Sequence, residues 1–131
     1  HAGDIVSQYT AKAFGDVKNA KFIAIFGNND GEKFVLKNII EGFGGEIYQD
    51  PYHGEIAGRK IFMTHKPSVL EEIIESQKYD IVIYGHTHFR DIRTVGKTIV
   101  INPGEATDWV SGKGNPCILD TDTLQIEEFD L

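Results

Sequence analysis

Several short polar segments in this 131-residue chain carry side chains that can bind a metal ion, and nearly all of them follow an apolar run. Gly3-Asp4 stands at the beginning. Residues 22–26 run into Gly27-Asn28-Asn29-Asp30, residues 61–63 into Thr64-His65, residues 81–84 into Gly85-His86-Thr87-His88, and residues 99–101 into Asn102-Pro103-Gly104-Glu105. Asp, Asn and His side chains together form an oxygen-and-imidazole donor set suited to first-row divalent metals. Taken singly, each segment has a simpler reading. Gly-Asn-Asn-Asp makes a turn, Gly-Asp starts a helix, and a lone histidine is usually a hydrogen-bonded surface or core residue. His86 and His88 can both face one site only if the strand before them has already ended.

The elements that must position these residues alternate in type through the first half of the chain. Residues 5–14 have helical apolar spacing, and Gly15 can end that helix. Residues 21–26 read as a buried strand. Residues 31–43 form an amphipathic helix carrying Phe34, Leu36, Ile39 and Ile40. Strands are expected over 46–48, 53–57 and 59–64, then a helix over 67–77 with Pro67 at its start and Glu71 and Glu72 early. The second half is strand-rich: 80–84, a hairpin of 91–95 and 98–101 turned at Gly96-Lys97, and a tail hairpin of 117–120 and 124–129. Alternation of this kind predicts a parallel α/β core with an antiparallel addition. Parallel strands would gather the polar segments at one sheet edge, where open α/β sheets bind ligands.

Composition excludes several classes. Apolar residues at 40% and charged residues at 25% are ordinary globular values. No apolar run is long enough to span a membrane, and no signal peptide is visible. The single cysteine, Cys117, cannot form an internal disulfide, so a cytoplasmic setting is expected, with the thiol buried beside an apolar strand. Thirteen Lys and Arg against twenty Asp and Glu give a net charge of −7, which repels nucleic-acid backbones and argues against a stable coating of duplex. Gly96-Lys97-Thr98 ends like a phosphate-binding loop but has Asp91 where the first Gly is needed. Trp109 reads as a loop anchor or a subunit contact.

The order Gly3-Asp4, Gly27-Asn28-Asn29-Asp30, His65, Gly85-His86-Thr87-His88 resembles the calcineurin-like metallophosphoesterase superfamily, whose pattern runs D-x-H, G-D, G-N-x-D/E, H and G-H-x-H. Residues 101–104, Ile-Asn-Pro-Gly, resemble its small prokaryotic phosphodiesterase branch. The resemblance covers essentially the whole chain. It implies a two-sheet α/β sandwich flanked by helices, one domain over residues 1–131, with the D-x-H strand expected before His1. It implies that Asp4 bridges two metals, that Asn28, His65 and His86 complete the second site, and that His88 serves the first. Asn29 stands where many relatives place a catalytic His, which makes it a substrate-binding candidate. Lys66-Pro67 follows His65 where relatives often read His-Gly-His.

The implied activity is hydrolysis of phosphoesters, most of all phosphodiesters, by a hydroxide bridging two divalent ions. The ions would be Mn, Fe, Co, Ni or Zn, and manganese is among the candidates. Two such ions carry +4, so the site would attract a small phosphoester anion despite the acidic surface. The alternative is a catalytically weak or inactive interaction scaffold of the same fold, like the retromer coat subunit of this superfamily.

Overall fold

The computed structural model describes residues 1–131. Two groups of strands carry the architecture. In the first, β1 (Ile23–Ile25) pairs in parallel with β2 (Glu46–Tyr48). Helices α1 (Gln8–Phe14) and α2 (Lys33–Gly42) pack with them. Ile5, Ala11, Ala24, Phe26, Leu36, Ile40 and Ile47 form their shared buried cluster. Leu36 and Ile40 lie one helical turn apart, which brings both to the inner face of α2.

The second group is a five-stranded mixed sheet in the order β3 (Tyr52–Ile56), β4 (Arg59–Thr64), β5 (Ile81–Tyr84), β7 (Thr98–Asn102), β6 (Asp91–Val95). The three central strands are parallel, and the outer two are antiparallel to their neighbours. The register aligns Ile61, Ile81 and Ile99 across the centre, and next to them Phe62, Val82 and Val100. Side chains alternate across a strand, so these two rows face opposite sides of the sheet. The Phe62 row packs on Leu70 and Ile74 of α3 (Leu70–Glu75). The Ile61 row packs under Leu119 and Ile126 of the tail hairpin, β8 (Cys117–Leu119) and β9 (Ile126–Glu128). Burial on both faces is why the central strands are apolar throughout rather than alternating.

Several boundaries differ from expectation. The first helix begins at Gln8 rather than residue 5, because Val6 has φ 63° and Ser7 caps the helix, its Oγ accepting from the Tyr9 N–H at 3.1 Å. The helix expected over 67–77 covers only Leu70–Glu75, since Pro67 lies before the N-cap and Gln77 turns left-handed at φ 52°. Strand β3 stops at Ile56 because Ala57 and Gly58 both take positive φ in the hairpin turn. Cys117 is half-buried rather than fully buried, and burial raises its thiol pKa. Trp109 is 89% exposed in the loop after β7.

Candidate metal centre

The parallel strands β4, β5 and β7 end at a common edge; the segments after β4 and β5 meet the loops around Asp4 and Asn28, and the segment after β7 packs on the one after β5. Asp30 joins the latter two. It is 5% exposed. Its Oδ2 accepts from the backbone N–H of Asp4 at 3.0 Å and of Gly27 at 2.7 Å, and its Oδ1 accepts from Val6 at 2.7 Å. The three bonds hold Asp4 at φ 59° and Val6 at φ 63°, a conformation that a β-branched residue adopts only under constraint. Gly27 is required beside them, because a Cβ there would overlap the Asp4 carboxylate and backbone nitrogen. Asn29 then gives both its donors to Asp4, the backbone N–H to Oδ1 at 2.7 Å and the side-chain amide to Oδ2 at 2.9 Å.

His65 follows β4 and is 2% exposed. Its Nδ1 lies 2.7 Å from the Ala2 carbonyl oxygen. A carbonyl can only accept, so Nδ1 carries the proton and the neutral ring presents a lone pair at Nε2. That lone pair faces two further acceptors, Asn28 Oδ1 at 3.0 Å and Asp4 Oδ2 at 3.3 Å. Three acceptors converging on one point are reconciled by a cation, either a second ring proton or a metal ion, or by a turn of the Asn28 amide that points its NH2 at the ring. The donor types are those of an imidazole, carboxylate and amide metal site, so the residues fit a divalent ion. No three His, Cys, Asp or Glu side chains converge elsewhere or here: the tight cluster is Asp4 and His65 with the Asn28 amide.

His86 and His88 lie beyond the end of β5, and both are left-handed, at φ 66° and 62°. The strand has ended before them, as their spacing requires. The His86 ring meets the His65 ring edge-on, with centroids 5.1 Å apart. Although His86 is exposed as a residue, desolvation of its imidazole, with the charges of His65 and Lys66, lowers its pKa and favours the neutral ring. His88 is turned toward Glu105, its Nδ1 3.7 Å from Glu105 Oε2.

The end of β7 braces this loop. Asn102, fully buried, donates from Nδ2 to the Gly85 carbonyl at 3.3 Å and to Thr87 Oγ1 at 3.0 Å. Glu105 accepts from the N–H groups of Val110 and Ser111 and from Thr107 Oγ1, at 2.7–3.1 Å. Burial alone would raise its carboxyl, but these donors bring it down to about 2.

The structure thus brings together Asp4, Asn28, Asn29 and His65, with His86 adjoining, and it sets His88 against Glu105. Sequence reasoning gave no role to Asp30, Asn102, Glu105 or the Ala2 carbonyl. Asp30 and Glu105 did have a signal, as the acidic residues closing two of the polar segments. Their partners lie in loops that only the fold brings near.

The family profile described as a calcineurin-like phosphoesterase superfamily domain matches residues 1–124. A phosphodiesterase of Methanocaldococcus jannaschii is 43% identical over 132 residues, covering 98% of this chain and 79% of the relative. A solved archaeal phosphodiesterase superposes with a TM-score of 0.92 at 42% identity, over 100% of this chain and 81% of its own. Vacuolar protein sorting 29 from Cryptosporidium parvum shares the fold at 17% identity, with a TM-score of 0.60 over 99% of this chain and 79% of its own.

Proposed function

This chain belongs to the calcineurin-like phosphoesterase superfamily, and from that premise we propose that it is a metal-dependent phosphodiesterase. The observation that carries the proposal is the convergence of Asp4 Oδ2, Asn28 Oδ1 and His65 Nε2, three acceptors with no donor among them in the neutral state. The similarity to an archaeal phosphodiesterase, in sequence and in structure, across nearly the whole chain supports the same reading.

We assign Asp4, Asn28, His65 and His86 to one divalent ion, and Asp4 with His88 to a second. When bound, such ions supply positive charge for a phosphodiester anion and a water nucleophile active near neutral pH. The chain's own residues do the rest by geometry. Asp30 fixes Asp4, the Ala2 carbonyl fixes the tautomer of His65, and Asn102 fixes the loop bearing His86. Mn, Fe, Co, Ni and Zn all suit these donors. The free Cys117 thiol suits a reducing cytoplasm.

Asn29 adjoins the substrate side of this cluster in our reading. Its amide cannot transfer a proton near neutral pH, and its backbone N–H and one amide N–H are engaged by Asp4. The chain therefore offers no general acid at that position, and rates should fall steeply as the leaving phenol becomes more basic.

The test is hydrolysis of activated aryl phosphodiesters of graded phenol pKa. Chelator should abolish the rate, added divalent metal should restore it, and His65→Ala should prevent the restoration. Asn29→His should flatten the leaving-group dependence. A rate indifferent to chelator, or equal in His65→Ala, would overturn the assignment.

A further inference from the structure

We propose that Glu105 is a positioning residue that sets the tautomer of His88, fixing the proton on Nδ1 and presenting the Nε2 lone pair toward the metal centre. The inference rests on the reading of His88 as a metal ligand. The His88 Nδ1 atom is shielded from solvent and has no hydrogen-bond partner, and Glu105 Oε2 faces it at 3.7 Å.

The carboxylate has little freedom to turn away. Thr107 Oγ1 donates to Oε1 at 3.0 Å, the Val110 N–H donates to both oxygens at 2.8 and 3.1 Å, and the Ser111 N–H donates to Oε2 at 2.7 Å. These donors hold a negative charge at a fixed point, with the Glu105 side chain only 6% exposed. The backbone on the other side is held too, since Asn102 ties Gly85 and Thr87. The carboxylate is therefore fixed, and the His88 ring, whose side chain is 36% exposed, can move onto it, with one proton to place between them. With the proton on Nε2, the Nδ1 lone pair would point at the carboxylate lone pair, which is repulsive. With the proton on Nδ1, a closing of somewhat under 1 Å makes a charge-assisted N–H···O bond. A carboxylate on the far nitrogen of a metal-binding imidazole orients the ring and raises its basicity.

Glu105→Ala removes this acceptor. The Ser111 and Val110 N–H groups that now point at Oε2 would hold a glutamine oxygen in the same place, so truncation rather than the amide is the informative change. With no acceptor facing Nδ1, the preference for a proton there is lost.

The test is a long-range 1H–15N spectrum of histidine-labelled protein, free of metal, at a pH where the ring is neutral. Wild type should show His88 as the Nδ1–H tautomer, and Glu105→Ala should lose that preference and show Nε2–H. A Zn2+ titration should show affinity lower by about tenfold to a hundredfold in the variant. Wild-type His88 as Nε2–H, or as a fast mixture of both forms, overturns the proposal, as does a folded variant with an unchanged spectrum. If Glu105→Ala fails to fold, the wild-type spectrum decides alone. The tautomer is read without metal or substrate. A protein that hydrolyses no phosphodiester but shows the expected pair of spectra still upholds the role of Glu105, and an active enzyme with wild-type Nε2–H refutes it.

Discussion

Substituting Asp30 by Asn removes one charge and keeps the side-chain shape, at the point where the loop carrying Asp4 is tied to the end of β1. The buried carboxylate accepts three backbone N–H bonds of 2.7–3.0 Å. Hydrogen bonds to a charged group contribute about 1.5–3 kcal/mol each. In Asp30→Asn the amide oxygen serves Asp4 and Gly27 best from the Oδ2 position, as a neutral acceptor. The NH2 is then turned toward the Val6 N–H, donor against donor. One bond lost and two weakened amount to about 2–4 kcal/mol, against about 5–15 kcal/mol for a whole domain. At roughly 3 °C per kcal/mol for a chain of this size, Tm should fall by about 6–12 °C. Asp30→Ala leaves all three donors without a protein acceptor and should be the more damaging. Urea denaturation gives the stability change, and native-state hydrogen exchange gives its location. The Val6 amide should lose protection first in Asp30→Asn, before those of Asp4 and Gly27. Stability within about 0.5 kcal/mol of wild type, with all three amides equally protected, would show that the carboxylate does not hold this loop.

Two further outcomes follow from neighbouring contacts. Gly27→Ala should cost about 1–3 kcal/mol and weaken Zn2+ binding, because its Cβ would displace Asp4; unchanged affinity by calorimetric titration would refute the close packing. Glu105, held down to about 2 against an ordinary 4.5, contributes stability that is present above about pH 4.5 and lost as pH falls toward 2. The gap in denaturation midpoint between wild type and Glu105→Gln should therefore shrink through that window, and a gap constant down to pH 2 would contradict it.

Most of the fold was legible because apolar runs and turn residues act locally. The hairpin at Gly96-Lys97, the parallel core strands and the tail hairpin all form where their sequence signals lie. The first helix was read too long because Ile5 and Val6 have helical spacing, yet the Val6 N–H is captured by Asp30, which lies 24 residues beyond it. That polar residues gather beyond the strand ends was legible. Their fine geometry was not, since it depends on contacts such as Ala2 with His65, 63 residues apart. Asn29 shows the limit well: its place in the motif marks it as important, but only the fold shows that both of its donors go to Asp4.

The side chains we assign to this centre hang from two separately packed bodies. Asp4 and Asn28 flank the cluster built on Ile5, Ala24 and Phe26, whereas His65, His86 and His88 extend from the sheet packed around Phe62, Val82 and Ile81. A ligand gripping both sets acts as a rivet across a seam. At one hundred times its Kd it adds about 2.7 kcal/mol, and this resists sliding of one body over the other rather than unravelling of either. Chelation would then loosen the molecule along that plane first, and protease cuts should appear in the loops bordering the seam while both cores are still intact.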